Sequence, residues 1–189
     1  MTKAEFYNSH SCHRLIEFLN TRSSNQVKKT LKTFVCAKNA DVQDFLHNRA
    51  ITFENYLRSR TYLYINNENK GVAGYFSIGI AYLLTNQLDK AIVKFLDGYT
   101  DETIAIPCYL VGQLAVNDEY IGKKLGKYLL NDALSIIDES QDKLSGRFVL
   151  IDAVNDEKVI EFYKQNSFIA LESDKTLKSI KMIKPYFEI

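Results

Sequence analysis

The sequence predicts an α/β domain with at least one parallel strand pair, preceded by an antiparallel hairpin. Three observations predict it. From "IPCYLVGQLAVN" onward the chain alternates strand, helix, strand, helix, strand, a pattern that needs crossover connections between neighbouring strands. Before that, "TYLYI" and "GVAGYFSIGIAYLL" are joined by "NNENKG", a turn rich in Asn and Gly between two β-rich runs. The chain has 189 residues, 46% of them hydrophobic. That is the length and balance of one domain with a sizeable core, taken as residues 1–189.

The elements follow in order. "CHRLIEFLN" puts Leu15, Ile16, Phe18 and Leu19 on one helical face. "DVQDFLHNRAITFENYLRS" spaces Val42, Phe45, Leu46, Arg49, Ile51, Phe53 and Tyr56 near the helical period, with Asp41 expected as N-cap. In the hairpin, Gly74 and Gly79 weaken a strand interior unless another backbone approaches there. "NQLDKAIVKFLDGY" reads as a short helix or structured loop. The long strand after it contains Pro107, which cannot donate to a ladder and so marks an edge, a strand start or a bulge. A helix from about Lys123 to Gln141, a strand "RFVLIDAV", a helix "NDEKVIEFYKQN" and terminal strands "SFIALE" and "TLKSIKMIK" complete the chain.

Charge and cysteine use exclude several classes. Twenty-four basic residues face twenty-three acidic ones, so no whole-protein field draws in nucleic acid or an anionic membrane. No apolar run reaches spanning length, and "MTKAEFYNSH" lacks a signal-peptide core. Cys12, Cys36 and Cys108 are odd in number and scattered, which points away from a disulfide framework and towards a reduced, cytoplasmic protein. "HSCH" offers His10, Cys12 and His13, but no second cluster completes a zinc site, and no metal is expected. Cys108, in an apolar strand with no histidine near it in sequence, reads as a buried small residue.

The most informative stretch is "LAVNDEYIGKKLGKYLL", Leu114 to Leu130. It opens as a strand, turns at Asn117-Asp118 and becomes a helix whose start carries Gly122, Gly126, Lys123, Lys124 and Lys127. The first N–H groups of a helix lack internal acceptors, and the aligned peptide dipoles make that end partly positive. Glycines admit an anion to the backbone, so phosphate binding and a simple solvated turn are both open readings. A Walker A loop fails on its glycine spacing and on Tyr128, which stands where a hydroxyl must meet magnesium. A dinucleotide fingerprint fails on glycine number and spacing.

"LAVNDEYIGKKLGKYLLNDAL" resembles the acyl-CoA-binding signature of the GNAT superfamily of N-acyltransferases. "NDEKVIEFYKQNSF" is similar to that superfamily's second signature, Asn, helix, then Phe-Tyr-x-x-x-Gly-Phe. The resemblance spans about Thr61 to Ile183, and it implies that the N-terminal helices follow a first strand, taken as "AEFYN". Three positions depart from it: Ile121 stands at a Gln/Arg position, Lys124 at a glycine, and Ser167 at the glycine before Phe168. The resemblance implies a mixed, mostly antiparallel sheet in which two parallel strands, "YLVGQLAV" and "RFVLIDAV", splay apart around acetyl-CoA as acyl donor. It assigns the pantetheine to the backbone of Leu114, Ala115 and Val116, and the pyrophosphate to Ile121, Gly122, Lys123, Lys124, Leu125, Gly126 and Lys127. Asn155, read as an N-cap, is a further cofactor contact.

The resemblance implies direct attack of a primary amine on the thioester, with Tyr163 protonating the leaving thiolate. On its own residues, Phe162-Tyr163 reads first as an aromatic pair packing helix onto sheet, and only the resemblance puts the acid role ahead of it. Glu102, Asp101, Gln113 and Asp152 are considered as bases and none is assigned. "FENYLRSRTYLYI", "GYFSI" and "IPCYLVGQLAVNDEY" resemble a narrower branch, toxin acetyltransferases of toxin–antitoxin pairs that modify aminoacyl-tRNA. The expected acceptor is thus a small molecule, a peptide or aminoacyl-tRNA. A homodimer and an antitoxin are the implied protein partners, with Lys28, Lys29, Lys32, Arg58 and Arg60 as a local basic group. The reading from a different class is a non-catalytic CoA-binding or interaction module, motivated by Ile121 and Lys124.

Overall fold

The computed structural model describes residues 1–86, 88–171 and 176–187. The chain forms two compact units, residues 1–79 with 112–136, and residues 80–111 with 137–189. Seven strands take the order β1-β2-β3-β4-β5-β7-β6: β1 (His10–Arg14), β2 (Arg60–Asn66), β3 (Val72–Leu84), β4 (Ala105–Val116), β5 (Phe148–Val154), β6 (Ile169–Ala170) and β7 (Ser179–Pro185). All characterised pairs are antiparallel except β4 with β5. The mixed, mostly antiparallel sheet is therefore as the sequence predicts.

In the first unit the chain opens with helix α1 (Lys3–Ser9), where a strand was expected. Thr2 accepts a hydrogen bond from Glu5 N–H and Glu5 accepts one from Thr2 N–H, a reciprocal cap that stabilises the first turn. Phe6 is buried from that helix, stacked near Tyr64 and Tyr128. The first strand is instead the polar His10–Arg14, at the sheet's edge, where polar residues are tolerated. Cys12 and His13 thus belong to β1, and helix α2 covers only Leu15–Thr21. Helix α3 (Ser24–Leu31) follows, then α4 (Ala40–Asp44), a π-helical turn (Phe45–Arg49) and α5 (Ala50–Asn55). Asn39, and not Asp41, caps α4: its side chain accepts from Asp41 N–H and Val42 N–H. The apolar faces of these helices bury Leu15, Phe18, Val27, Leu31, Phe45 and Leu46 with Leu63, Tyr75 and Ala115 of the sheet.

β2 and β3 pair antiparallel as the hairpin signal predicts. The two strand glycines are places of close approach. A Cβ on Gly74 would stand 3.0 Å from the Ala115 carbonyl oxygen and 2.8 Å from Leu129 Cδ1, and one on Gly79 would stand 3.0 Å from the Arg58 carbonyl oxygen.

The second unit contains helix α6 (Lys90–Asp97), β5, helix α8 (Glu157–Lys164), β6, β7 and the last residues of helix α7 (Leu125–Leu144). Gln87, in the segment expected to form α6, and Glu172, in the expected strand "SFIALE", lie outside the described residues. Pro107 is exposed near the start of β4, before the pairing with β5 begins at Tyr109↔Val149. That start position is one a proline tolerates. The core here packs Leu83, Leu96, Ile106, Cys108, Phe148, Leu150 and Ile183. Among the described residues no helix is long and apolar enough to cross a membrane.

The β3–β4 ladder carries an irregularity. Asn117 N–H donates to Ala73 C=O, and Thr85 N–H to Ile104 C=O. These two bonds differ in register by one residue, so β4 holds one residue more than β3 between them, as a β-bulge does.

Candidate active site

In the first unit, the end of β4 and the start of α7 form the expected strand–turn–helix. Leu114 to Val116 close the strand; Ala115 is buried while Leu114 and Val116 are half-buried. The turn that follows is built around Asn117, which is 5% exposed. Its Nδ2 donates to the carbonyls of Thr33 (3.1 Å) and Val72 (2.9 Å), and its Oδ1 accepts from Glu119 N–H. Asp118 continues the anchoring: its N–H donates to Val35 C=O and its carboxylate accepts from Ala37 N–H at 2.9 Å. The loop is therefore fixed to the segment between α3 and α4 and to the start of β3 by residues that the sequence marked only as a turn.

Beyond this anchor, Ile121 to Lys124 are exposed. Gly122 has φ +79°, with nothing within 4 Å of the position a Cβ would take. Lys124 has φ +66°, the left-handed conformation that a glycine adopts without steric cost and a lysine does not. The departure seen in the sequence is thus a departure in backbone strain as well. α7 begins at Leu125, so its first N–H groups have no intrahelical acceptor. Leu125's side chain is buried, so its contribution to this end is its backbone N–H.

The three lysines are not equivalent. Lys123 N–H is taken by Tyr120 C=O at 3.2 Å and its ammonium lies 4.8 Å from the centroid of the Tyr120 ring. Lys127 N–H is taken by Lys124 C=O. An open left-handed glycine, an exposed loop and a helix start flanked by ammonium groups suit a phosphate, which is what the acyl-CoA reading requires.

α7 is also braced from the side. Asp132 accepts hydrogen bonds from Tyr7 of α1, at 2.7 and 2.6 Å to its two oxygens, and from Tyr64 of β2. Burial is the largest cause that pushes both phenols up, with Asp132's hydrogen bond adding to it. No local signal marks Asp132, because its partners lie 125 and 68 residues away. His10 is buried beneath the same end, its Nδ1 2.9 Å from Ser9 Oγ and its ring against Phe6 and Tyr120.

In the second unit, the parallel ladder is registered over Tyr109↔Val149, Leu110↔Leu150 and Val111↔Ile151. Tyr163, on α8, is 8% exposed and meets Phe162 and Phe168 edge-on, at centroid distances of 5.1 and 5.5 Å. It therefore does pack as the aromatic-pair reading expects. Among the described residues its hydroxyl takes no hydrogen bond, and burial alone pushes its phenol up to about 12. The group is fully protonated near neutral pH, as a proton donor must be.

Asn155 does not begin α8. Asp156 is the N-cap, accepting from Lys158 N–H and Val159 N–H, because it stands one residue nearer the first turn. Asn155 instead ties the end of β5 to the chain before β7, through Nδ2 to Leu177 C=O at 2.9 Å and N–H to Lys178 C=O at 3.0 Å. Asp152 is exposed on β5, across from Lys181. Cys108 is buried, and burial pushes its thiol up to about 12, which suppresses the nucleophilic thiolate.

The strand order, the parallel β4–β5 pair and the strand–turn–helix at Leu114–Gly126 give a GNAT-like fold. Solved structures with this fold include AtaT complexed with acetyl-methionyl-tRNAfMet, with TM-score 0.69 and 18% identity over 93% of this chain and 94% of that one. A tyrosine-to-phenylalanine mutant of AtaT, bound to the C-terminus of the antitoxin AtaR and acetyl-CoA, matches with TM-score 0.69 and 17% identity over 94% and 93%. A tyrosine-to-phenylalanine mutant of KacT matches with TM-score 0.72 and 14% identity over 94% and 95%. No family model matches the chain.

Proposed function

We propose that this protein is an acetyl-CoA-dependent N-acetyltransferase that modifies the amino group of aminoacyl-tRNA, as the toxin of a toxin–antitoxin pair. One catalytic domain, residues 1–189, belongs to the same reading. The acyl donor is supported by the open Gly122–Gly126 loop and by the neighbour that binds acetyl-CoA. Leu114 to Val116 supply backbone groups to the pantetheine, and Gly122, Lys124, Leu125 and Gly126 meet the pyrophosphate, with Ile121, Lys123 and Lys127 around them. Asn155, between β5 and the Tyr163 helix, is a further cofactor contact. The acceptor's neutral amine attacks the thioester carbonyl carbon, the C–S bond breaks, and Tyr163 Oη gives its proton to the departing sulfur. The amine's surplus proton leaves to water. An α-amino group, with a free pKa near 8, supplies the neutral form at pH 7 far better than a lysine near 10.4.

The observation that carries the acceptor class is a segregation of charge hidden by the neutral total. From Arg14 to Arg60, nine Lys or Arg face four Asp or Glu, a net +5; the rest of the chain holds fifteen against nineteen, a net −4. All nine basic residues are exposed. Three of the four acids are engaged in ion pairs, Glu17 with Arg14, Asp44 with Arg49 and Glu54 with Arg60. Such a basic layer is the footprint expected for a phosphate backbone, and it answers the absence of a whole-protein field. The neighbours that carry tRNA and antitoxin support the same partners here. We also infer a homodimer.

The test incubates purified protein with acetyl-CoA and charged tRNA and follows acetylation of the aminoacyl group. Tyr163→Phe should cut turnover about 10²–10⁴-fold, the range for losing a positioned acid, with acetyl-CoA affinity unchanged. Equal turnover removes Tyr163 from the role. Absence of acetyl-CoA binding at millimolar ligand leaves the non-catalytic module as the better reading.

A further inference from the structure

His10 holds a buried nitrogen without a partner, next to the turn that leads into the Gly122–Gly126 loop. It follows α1 and opens β1, stands opposite Asn66 of β2, and is 4% exposed. Its Nδ1 lies 3.1 Å from Phe6 C=O and 2.9 Å from Ser9 Oγ. A carbonyl only accepts, and Ser9 already donates its hydroxyl proton to Glu5 C=O at 2.6 Å. The proton of the neutral ring is therefore assigned to Nδ1, which leaves a lone pair on Nε2. Among the described residues no donor meets that lone pair, and a buried acceptor left unpaired is destabilising.

The surroundings suit the charged ring better. The rings of Phe6 and Tyr120 lie 4.7 and 5.2 Å from the imidazole, centroid to centroid. Aromatic rings offer no strong donor to a lone pair, but their faces attract a cation within about 6 Å. Burial is the largest cause that holds His10 below the usual histidine value; the Phe6 carbonyl pulls the other way, and the Lys123 ammonium adds to burial. Lys123 stands 4.8 Å from the centroid of the same Tyr120 ring, so about 10 Å at most separates its ammonium from the imidazole. The other neighbours leave this balance alone. Asn66 is uncharged and donates to the Tyr120 hydroxyl at 2.9 Å. Asp132 of α7 is taken up by the phenols of Tyr7 and Tyr64, which flank Phe6.

We propose that His10 is a positioning residue for the cofactor and takes up a proton when acetyl-CoA binds. The inference rests on the acetyl-CoA reading above. The two anionic charges of the diphosphate pair with the Lys123 ammonium and cancel its repulsion. Nε2 then binds a proton from water, and the imidazolium rests against Phe6 and Tyr120. Its charge attracts the diphosphate in return, and Tyr120 ties it to the turn before Gly122. Two unit charges about 10 Å away, at an effective dielectric of about 20 and screened by 0.1 M salt, are worth about five- to tenfold in affinity.

Calorimetric titration of acetyl-CoA into the full chain at pH 5.5, 6.5 and 7.5, in two buffers of different ionisation enthalpy, counts the protons exchanged on binding. The cofactor's own phosphates titrate in this range, so each count is read against His10→Gln, which has no imidazole. Below pH 6.5 the wild type should take up a fraction of a proton more than the variant, and at pH 7.5 almost none. Its affinity relative to the variant should rise about three- to fivefold from pH 7.5 to 5.5, because the ring is only partly charged. A His10 that serves packing alone would change affinity by the same factor at every pH. If His10→Gln does not fold, NMR of the histidine-labelled wild type reads the titration directly, with His13→Gln and His47→Gln assigning the His10 signal. That titration should move to higher pH when acetyl-CoA is added. Equal proton counts in wild type and variant, or a His10 titration that acetyl-CoA leaves in place, overturn the proposal while acetyl-CoA binding stands. Absence of acetyl-CoA binding at millimolar ligand overturns the cofactor reading and this inference together.

Discussion

Replacing Lys124 with Gly separates backbone strain from ligand binding in one substitution. Lys124 holds φ +66°, a conformation costing an L-residue of this kind about 1 kcal/mol or somewhat more. Glycine removes that cost but loses about 0.4–1 kcal/mol through a freer unfolded chain. The net gain is about 0.5 kcal/mol, or a rise of about 1–2 °C in Tm for a chain of this size. Removing the ammonium has the opposite consequence for the ligand. A cation beside an exposed phosphate is worth about 0.3–1 kcal/mol, so acetyl-CoA should bind about 2–5-fold more weakly. Calorimetric titration at low salt and at 0.5 M salt, with a thermal melt of each protein, reads both. The affinity loss should shrink as salt screens the charge. Lys124→Ala should lose the same affinity with Tm nearly unchanged, since it keeps the left-handed residue without glycine's freedom. If Lys124→Gly instead binds acetyl-CoA more tightly, the lysine is an impairment of the loop and the reasoning fails.

Three further outcomes follow from the packing. Gly74→Ala should cost about 1–3 kcal/mol, because Leu129 can shift but the Ala115 carbonyl oxygen at 3.0 Å is backbone; an unchanged urea midpoint would show that β4 yields there. Asp132→Asn turns two charge-assisted phenol bonds into neutral ones, at about 1–3 kcal/mol in total. Faster amide exchange in α1 and the middle of α7 should accompany it, and unchanged exchange would remove Asp132 as their brace. The Tyr163 phenol is raised from 10 to about 12 by burial. Between those values the unfolded chain releases a proton that the folded chain keeps, so stability present below pH 10 is lost as pH rises to about 12. Denaturant midpoints across that window should fall less steeply in Tyr163→Phe, and identical slopes would count against the burial.

Much of the architecture was legible because it rests on short-range signals. The hairpin, the strand–helix alternation and the Leu114–Leu130 stretch depend on periodicity and turn chemistry within a few residues, and all stand in the structure. The errors fell where two short-range signals compete. "TKAE" is a capping box, and it made α1 a helix where the family's layout implied a strand. Asn39 and Asp156 each displaced a neighbouring expected cap. Single-position caps are decided by side-chain geometry within one turn, which spacing alone does not resolve.

The sequence by itself determined the strand–turn–helix at Leu114–Leu130 and the helix that carries Tyr163, since both are properties of a local motif. Only the tertiary structure decided the rest. Asn117 reaches back to Thr33 and Val72 to hold the loop, Asp132 gathers phenols from two distant elements, and burial against Phe162 and Phe168 sets the state of Tyr163. It also decided that Lys124 sits in a conformation made for glycine. Those facts are long-range or conformational: they arise from loop closure and exclusion of water, and neither is encoded in any window of neighbouring residues.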